Sequence, residues 1–112
     1  MKNNTPTFGQ TTVESEVIAR VLGEDLPHLS LSGLAAIISR NWRAQAKDGK
    51  IYFGAIPYLE AMGCLNSISD KYGCDPATEI INYFLANAQS WRGPVAKAVK
   101  AELNRRVKAE GR

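Results

Sequence analysis

Few groups in this chain are suited to catalysis. His28 is the only histidine, and Cys64 and Cys74 are the only thiols. A thiolate activated by an imidazole is a nucleophile, and the two partners need only meet in space, not in sequence. No local spacing supports that pair here, and two partly buried thiols with a surface histidine account for the same residues. The three side chains could also ligate zinc. They lack CxxC or HxxxH spacing, and a structural site takes four ligands. The acids form no evident catalytic pair. Glu14 and Glu16 stand two apart, on different sides of a helix, and Glu24, Asp25 and Asp70 fall at helix ends, where carboxylates serve as caps or dipole partners. No Walker-type glycine loop precedes a Lys-Ser or Lys-Thr pair, and no GxGxxG follows a strand. The expectation is a protein that is not an enzyme and holds no cofactor and no metal.

Positive charge is the more informative feature. Lysine and arginine total 14 against 11 acids, a net charge of +3. Residues 1–30 carry a net −2, residues 31–60 +2, residues 61–91 −2 and residues 92–112 +5. Such asymmetry points to an acidic partner, either a protein surface or a nucleic acid.

The elements that must position these charges read as helical. At 112 residues, with 45% apolar and 22% charged residues, the composition is that of one globular domain. Residues 1–10 are polar, hold Pro6 and Gly9, and are expected to form a flexible N-terminal arm, with one helical domain over 11–112. Thr11 and Glu14 make a capping box for a first helix, carried by Val13, Val17, Val21 and Leu22 up to Gly23. A second helix is expected from about Leu31 to Ala46 behind Ser30, with Leu34, Ala35, Ile38 and Trp42 on one face. Ile51-Tyr52-Phe53 is the only β-favouring run, and with no partner strand it is expected to be an extended linker or a frayed helix start. A third helix then opens near Pro57 and runs through Met62, Leu65 and Ile68 to Tyr72. A fourth, capped by Asp75 ahead of Pro76, carries the stripe Ala77, Ile80, Ile81, Phe84, Leu85, Ala88 and Trp91. Pro94 opens the fifth, whose stripe is Val95, Val99, Leu103 and Val107. The expected fold is all-α, a compact bundle of about five short helices with no sheet.

No apolar run approaches the length of a membrane span. The opening Met1–Pro6, with no apolar stretch behind it, is expected to carry no secretory signal. Two cysteines then fit a reducing cytoplasm, in which the Asn3-Asn4-Thr5 sequon is inert.

The last helix is where partner binding is expected. Lys97, Lys100, Asn104 and Lys108 cluster opposite the valine stripe, with Arg105 at one edge and Arg106 near the apolar side at the helix end, where it reaches water. Trp91 and Arg92 precede it; core or half-buried packing accounts for Trp91 by default, and if it is exposed instead, the Trp-Arg pair makes a strong contact point. Arg40, Arg43, Lys47 and Lys50 are expected to help. No membrane partner is expected, because the apolar side holds valine and alanine and lacks bulky anchors. The alternative is a helix-turn-helix DNA-binding regulator built from helices 76–91 and 94–109, although Gln89 and Ser90 depart from that motif's usual apolar residue and glycine. A cysteine-dependent enzyme is the distant third reading. A domain this small could also leave an apolar face for a two-fold mate, making a homodimer.

The segments Tyr52-Phe53-Gly54-Ala55-Ile56-Pro57-Tyr58-Leu59-Glu60-Ala61-Met62 and Tyr83-Phe84-Leu85-Ala86-Asn87-Ala88-Gln89-Ser90-Trp91-Arg92-Gly93 resemble small uncharacterised proteins carried by bacteria, phages and plasmids. The resemblance covers roughly residues 34–108. It implies a setting, that of an intracellular bacterial or mobile-element accessory protein, and brings no activity or functional residue with it.

Overall fold

The computed structural model describes residues 25–111; the expected N-terminal arm and first helix lie outside them. Four α-helices span Leu31–Gln45 (α1), Ile56–Met62 (α2), Ala77–Ala86 (α3) and Pro94–Glu110 (α4). Between α2 and α3 a two-stranded antiparallel ribbon pairs Lys71–Tyr72 (β1) with Asp75–Pro76 (β2). The expected all-α bundle of about five helices with no sheet is therefore corrected: the described residues hold four helices and a two-stranded sheet. The third expected helix, to Tyr72, stops at Met62, and its remainder becomes loop and ribbon.

Local chemistry explains the change. Past Gly63, the Asp70 carboxylate accepts from the amides of Asn66 and Ser67, both at 2.9 Å, and the Ser67 hydroxyl takes the Ser69 amide. Short polar side chains that bond nearby backbone compete with the helix ladder. Gly73 then adopts φ +63°, the positive value a two-residue hairpin turn requires, so Tyr72 faces Asp75 across the ribbon. Gly73 thus serves the turn of the ribbon.

The N-terminus of α1 is closed by its own Ser30, whose hydroxyl accepts from the Gly33 amide at 3.0 Å. It is also closed by the chain after α2, because the amides of Leu31 and Ser32 donate to the carbonyls of Asn66 and Leu65. Four otherwise orphaned donors are the usual cost of a helix start, and here tertiary packing meets part of it. The run Ile51–Phe53 forms no strand. Ile51 is buried, and Phe53–Ala55 makes a 3₁₀ turn leading into α2.

The core gathers Leu31, Leu34, Ile38 and Trp42 of α1, Leu59 and Met62 of α2, Ile80, Ile81 and Phe84 of α3, and Val95, Val99 and Leu103 of α4. Apart from Leu31 and Leu59 these residues belong to the expected stripes, whereas Tyr72, expected on the third, is exposed. Phe84 is fully buried and stands edge-on to Trp42 and Trp91 at 6.3 and 6.4 Å. Phe84→Ala should cost about 3–5 kcal/mol in urea unfolding; a loss under ~1 kcal/mol would place the stripe on a surface.

Helix α4 runs back along α1. At one end the Gln45 side chain bonds Arg92, just before α4; at the other, Arg106 bonds Leu26, just before α1. This antiparallel pairing decides where the basic residues meet.

Candidate functional site

Helix α3 ends at Ala86, five residues short of the expected Trp91, and a seven-residue connection (87–93) leads to α4. Asn87 turns its side-chain amide onto the Tyr83 carbonyl at 2.9 Å, closing the helix. The chain then bends so that Trp91 lies flat on Trp42, with ring centroids 5.9 Å apart and planes 12° from parallel. The Trp91 indole N–H donates to Asn41 Oδ1 at 2.8 Å. Beside it, the Gln45 side chain donates to the Arg92 carbonyl at 2.8 Å and accepts the Arg92 amide at 3.0 Å, as a neighbouring strand would. Gly93 follows at φ +106° and ψ 178°, a backbone region essentially reserved for glycine. The three-to-four-residue turn of a helix-turn-helix is absent at this point.

Trp91 is 0% exposed. An interface residue in direct contact needs surface, so this indole acts through the loop it anchors, and the contact expected of it is corrected. Lys100 is also drawn inward. Its ammonium donates to the carbonyls of Ala88 at 2.8 Å and Trp91 at 2.7 Å, and lies 5.8 Å from the Trp91 ring centroid. Burial, with the Arg92 charge nearby, pushes its pKa down from the usual lysine value. Lys100 therefore locks the loop instead of facing outward with Lys97.

At the far end of α4, Glu102 is buried at 7% exposure and Arg106 at 9%. Arg106 Nε donates to Glu102 Oε2 at 2.6 Å, and its Nη2 donates to the Leu26 carbonyl at 2.6 Å. The expectation that Arg106 reaches water is overturned: it is an internal tie between the two ends of the described chain. Arg105 meets the same carboxylate with two bonds, at 2.9 and 2.6 Å, so its charge is largely answered within α4.

Arg40, Arg43, Lys47, Lys50, Arg92, Lys97, Asn104 and Lys108 all lie at the surface, Asn104 with its amide on the Lys100 carbonyl. The structure does not gather them evenly. Arg43, Lys47 and Lys50 come from the last turn of α1 and the chain just after it. Gln45 holds Arg92 against that same turn, with Lys97 one turn into α4. Lys108 sits near the opposite end, beyond Arg105. The basic patch is thus concentrated where α1 ends and α4 begins. Sequence reasoning placed its centre on α4, because the side-chain amide of Gln45 gave no sign that it would clamp Arg92.

Of the residues weighed for catalysis, Cys64 and Cys74 are both free and exposed, not partly buried. Cys64 follows α2, Cys74 sits at the ribbon turn, and His28 is exposed in the turn before α1. No group of three or more His, Cys, Asp or Glu side chains among the described residues is placed to hold a metal ion. No described helix is long and apolar enough to cross a membrane.

Two carboxylates give the fold an acid dependence. The Arg105 hydrogen bonds, helped by Arg106, hold the Glu102 carboxyl below its ordinary pKa although burial pushes the other way. Amide donation from Ser67, then Asn66, does the same for Asp70. A carboxyl whose pKa is lower folded than unfolded adds stability above its unfolded value and loses it as pH falls through the folded one. The thermal midpoint should therefore hold steady from neutrality to about pH 5 and drop below about pH 4; Glu102→Gln should flatten that acid limb.

Comparison of the chain with protein-family models, with curated proteins and with solved structures found no match.

Proposed function

We propose that this chain is a small non-catalytic binding protein of the cytoplasm, a bacterial or mobile-element accessory factor that acts by occupying an acidic macromolecule. The observation that carries this reading is the gathering of Arg43, Lys47, Lys50, Arg92 and Lys97 at one end of the α1–α4 pair. Between Ile80 and Ala101 the sequence holds no acid, and Asp48 is the only one between Leu31 and Leu59. Charges so arranged raise the local concentration of a polyanion and steer its approach. The contact surface is the start of α4 with Arg92, continued by the end of α1; Lys108 and Asn104 extend it along α4. The rigid Trp42–Trp91 stack beneath holds Arg92 in place without the ordering cost that a mobile loop carries on binding.

Affinity capture of the tagged chain from its native host, with proteins and nucleic acids both identified, tests this. One acidic partner should be recovered and released by salt, and Arg92→Glu with Lys97→Glu should abolish its recovery. Undiminished recovery with that double variant, in a fold of unchanged thermal midpoint, would overturn the assignment of the surface.

A further inference from the structure

Beside the basic end lies an aromatic feature that packing does not explain. Phe53 is 77% exposed and Tyr52 47% exposed, their ring centroids 5.0 Å apart. Tyr52 is the wall shared by two clefts of about 270 Å³ each. One holds Gln45, Lys50 and Ser90, and the other Asn87, Gln89 and Ser90. Gln45 is committed to Arg92, but the Ser90 hydroxyl in both clefts and the Gln89 amide in the second stand next to an open ring. Gly54 lets the ring lie there: a Cβ at that position would come within 2.6 Å of the Tyr52 ring and 2.7 Å of Asn87 Oδ1.

Open rings, neighbouring amides and a border of cations fit one kind of polyanion best. Unpaired bases present flat π faces for stacking and free edges for hydrogen bonds, while their phosphates meet lysine and arginine. A duplex hides its base faces in its own stack, and an acidic polypeptide supplies carboxylates but nothing for the rings to stack on.

We propose that Tyr52 and Phe53 are a stacking platform for the bases of a single-stranded nucleic acid whose phosphates lie against Lys47, Lys50 and Arg92. This rests on the reading of the basic end as a polyanion surface and names its occupant.

Fluorescence anisotropy at low salt tests it with four probes: labelled oligothymidylate, its duplex with oligoadenylate, polyglutamate and phosphatidylserine vesicles. The single strand should bind most tightly, with a log–log salt slope of about −0.7 per phosphate contacted. Phe53→Ala should weaken that binding by about tenfold. Gly54→Ala, which displaces the Tyr52 ring without altering charge, should weaken it too. Binding of polyglutamate and the thermal midpoint should not respond to Phe53→Ala, since that ring is mostly outside the core. If duplex, polyglutamate or vesicles bind as tightly as the single strand, or if Phe53→Ala has no effect, the platform is overturned while the polyanion surface stands. If none of the four probes binds, both fall.

Discussion

Trp91→Ala is expected to lower the unfolding free energy by about 4 kcal/mol, within the range for removal of a buried large aromatic. The indole is fully enclosed, stacked on Trp42 and edge-on to Phe84. Its removal leaves a cavity at the meeting point of α1, α3 and the 87–93 connection. It also strips Asn41 of a donor and leaves the Lys100 ammonium without the ring it covers. Urea denaturation checks the value, and a loss under ~1 kcal/mol would mean that the stack adds little. Trp91→Phe should recover part of the loss, because an aromatic ring is kept while the Asn41 bond is not. Trp91→Ala should lose partner binding together with stability, because it frees the loop that holds Arg92, whereas Arg92→Glu should lose binding with its stability intact.

Glu102→Ala carries the second large effect, about 3 kcal/mol of destabilisation. The substitution leaves the Arg106 guanidinium nearly enclosed, with the Leu26 carbonyl as its remaining hydrogen-bond partner. Breaking a buried ion pair costs far more than replacing both members, because the surviving charge stays desolvated. The double variant Glu102→Leu with Arg106→Met should therefore be more stable than Glu102→Ala alone. Chemical denaturation of the two variants decides it: a double variant less stable than the single one would show that the tie to Leu26 outweighs the pair.

What was legible in the sequence was the set of buried faces. The stripes of α1, α3 and α4 recur at helical spacing, and most side chains expected inside are inside, including Ala88 and Trp91, which stay buried although the helix has ended; Leu85 and Val107 are only partly covered. The end of that helix was not legible, because periodicity continues whether or not the backbone does. Asn87 closing on Tyr83 and Lys100 meeting the Ala88 and Trp91 carbonyls are tertiary events with no local signature. The ribbon was hidden for a related reason: Lys71–Tyr72 has no β-favouring run, and its pairing follows from the Gly73 turn and the Asp70 bonds. Conversely, Ile51–Phe53 has strand propensity but no neighbour to pair with, and it became a turn with two exposed rings. The candidate site was half legible. Its charges could be counted, but which of them face outward depended on Lys100 and Arg106 finding carbonyls inside the fold.

Both tryptophans of the chain stand face to face in one stack. Ultraviolet emission excited at the indole band therefore reports a single event, the seating of the 87–93 connection on the end of α1. Trp42 also lines one of the clefts beside Tyr52. A shift of the emission towards the red in the free protein would thus be an optical gauge of loop release, while an occupant of that cleft would register at Trp42 as well.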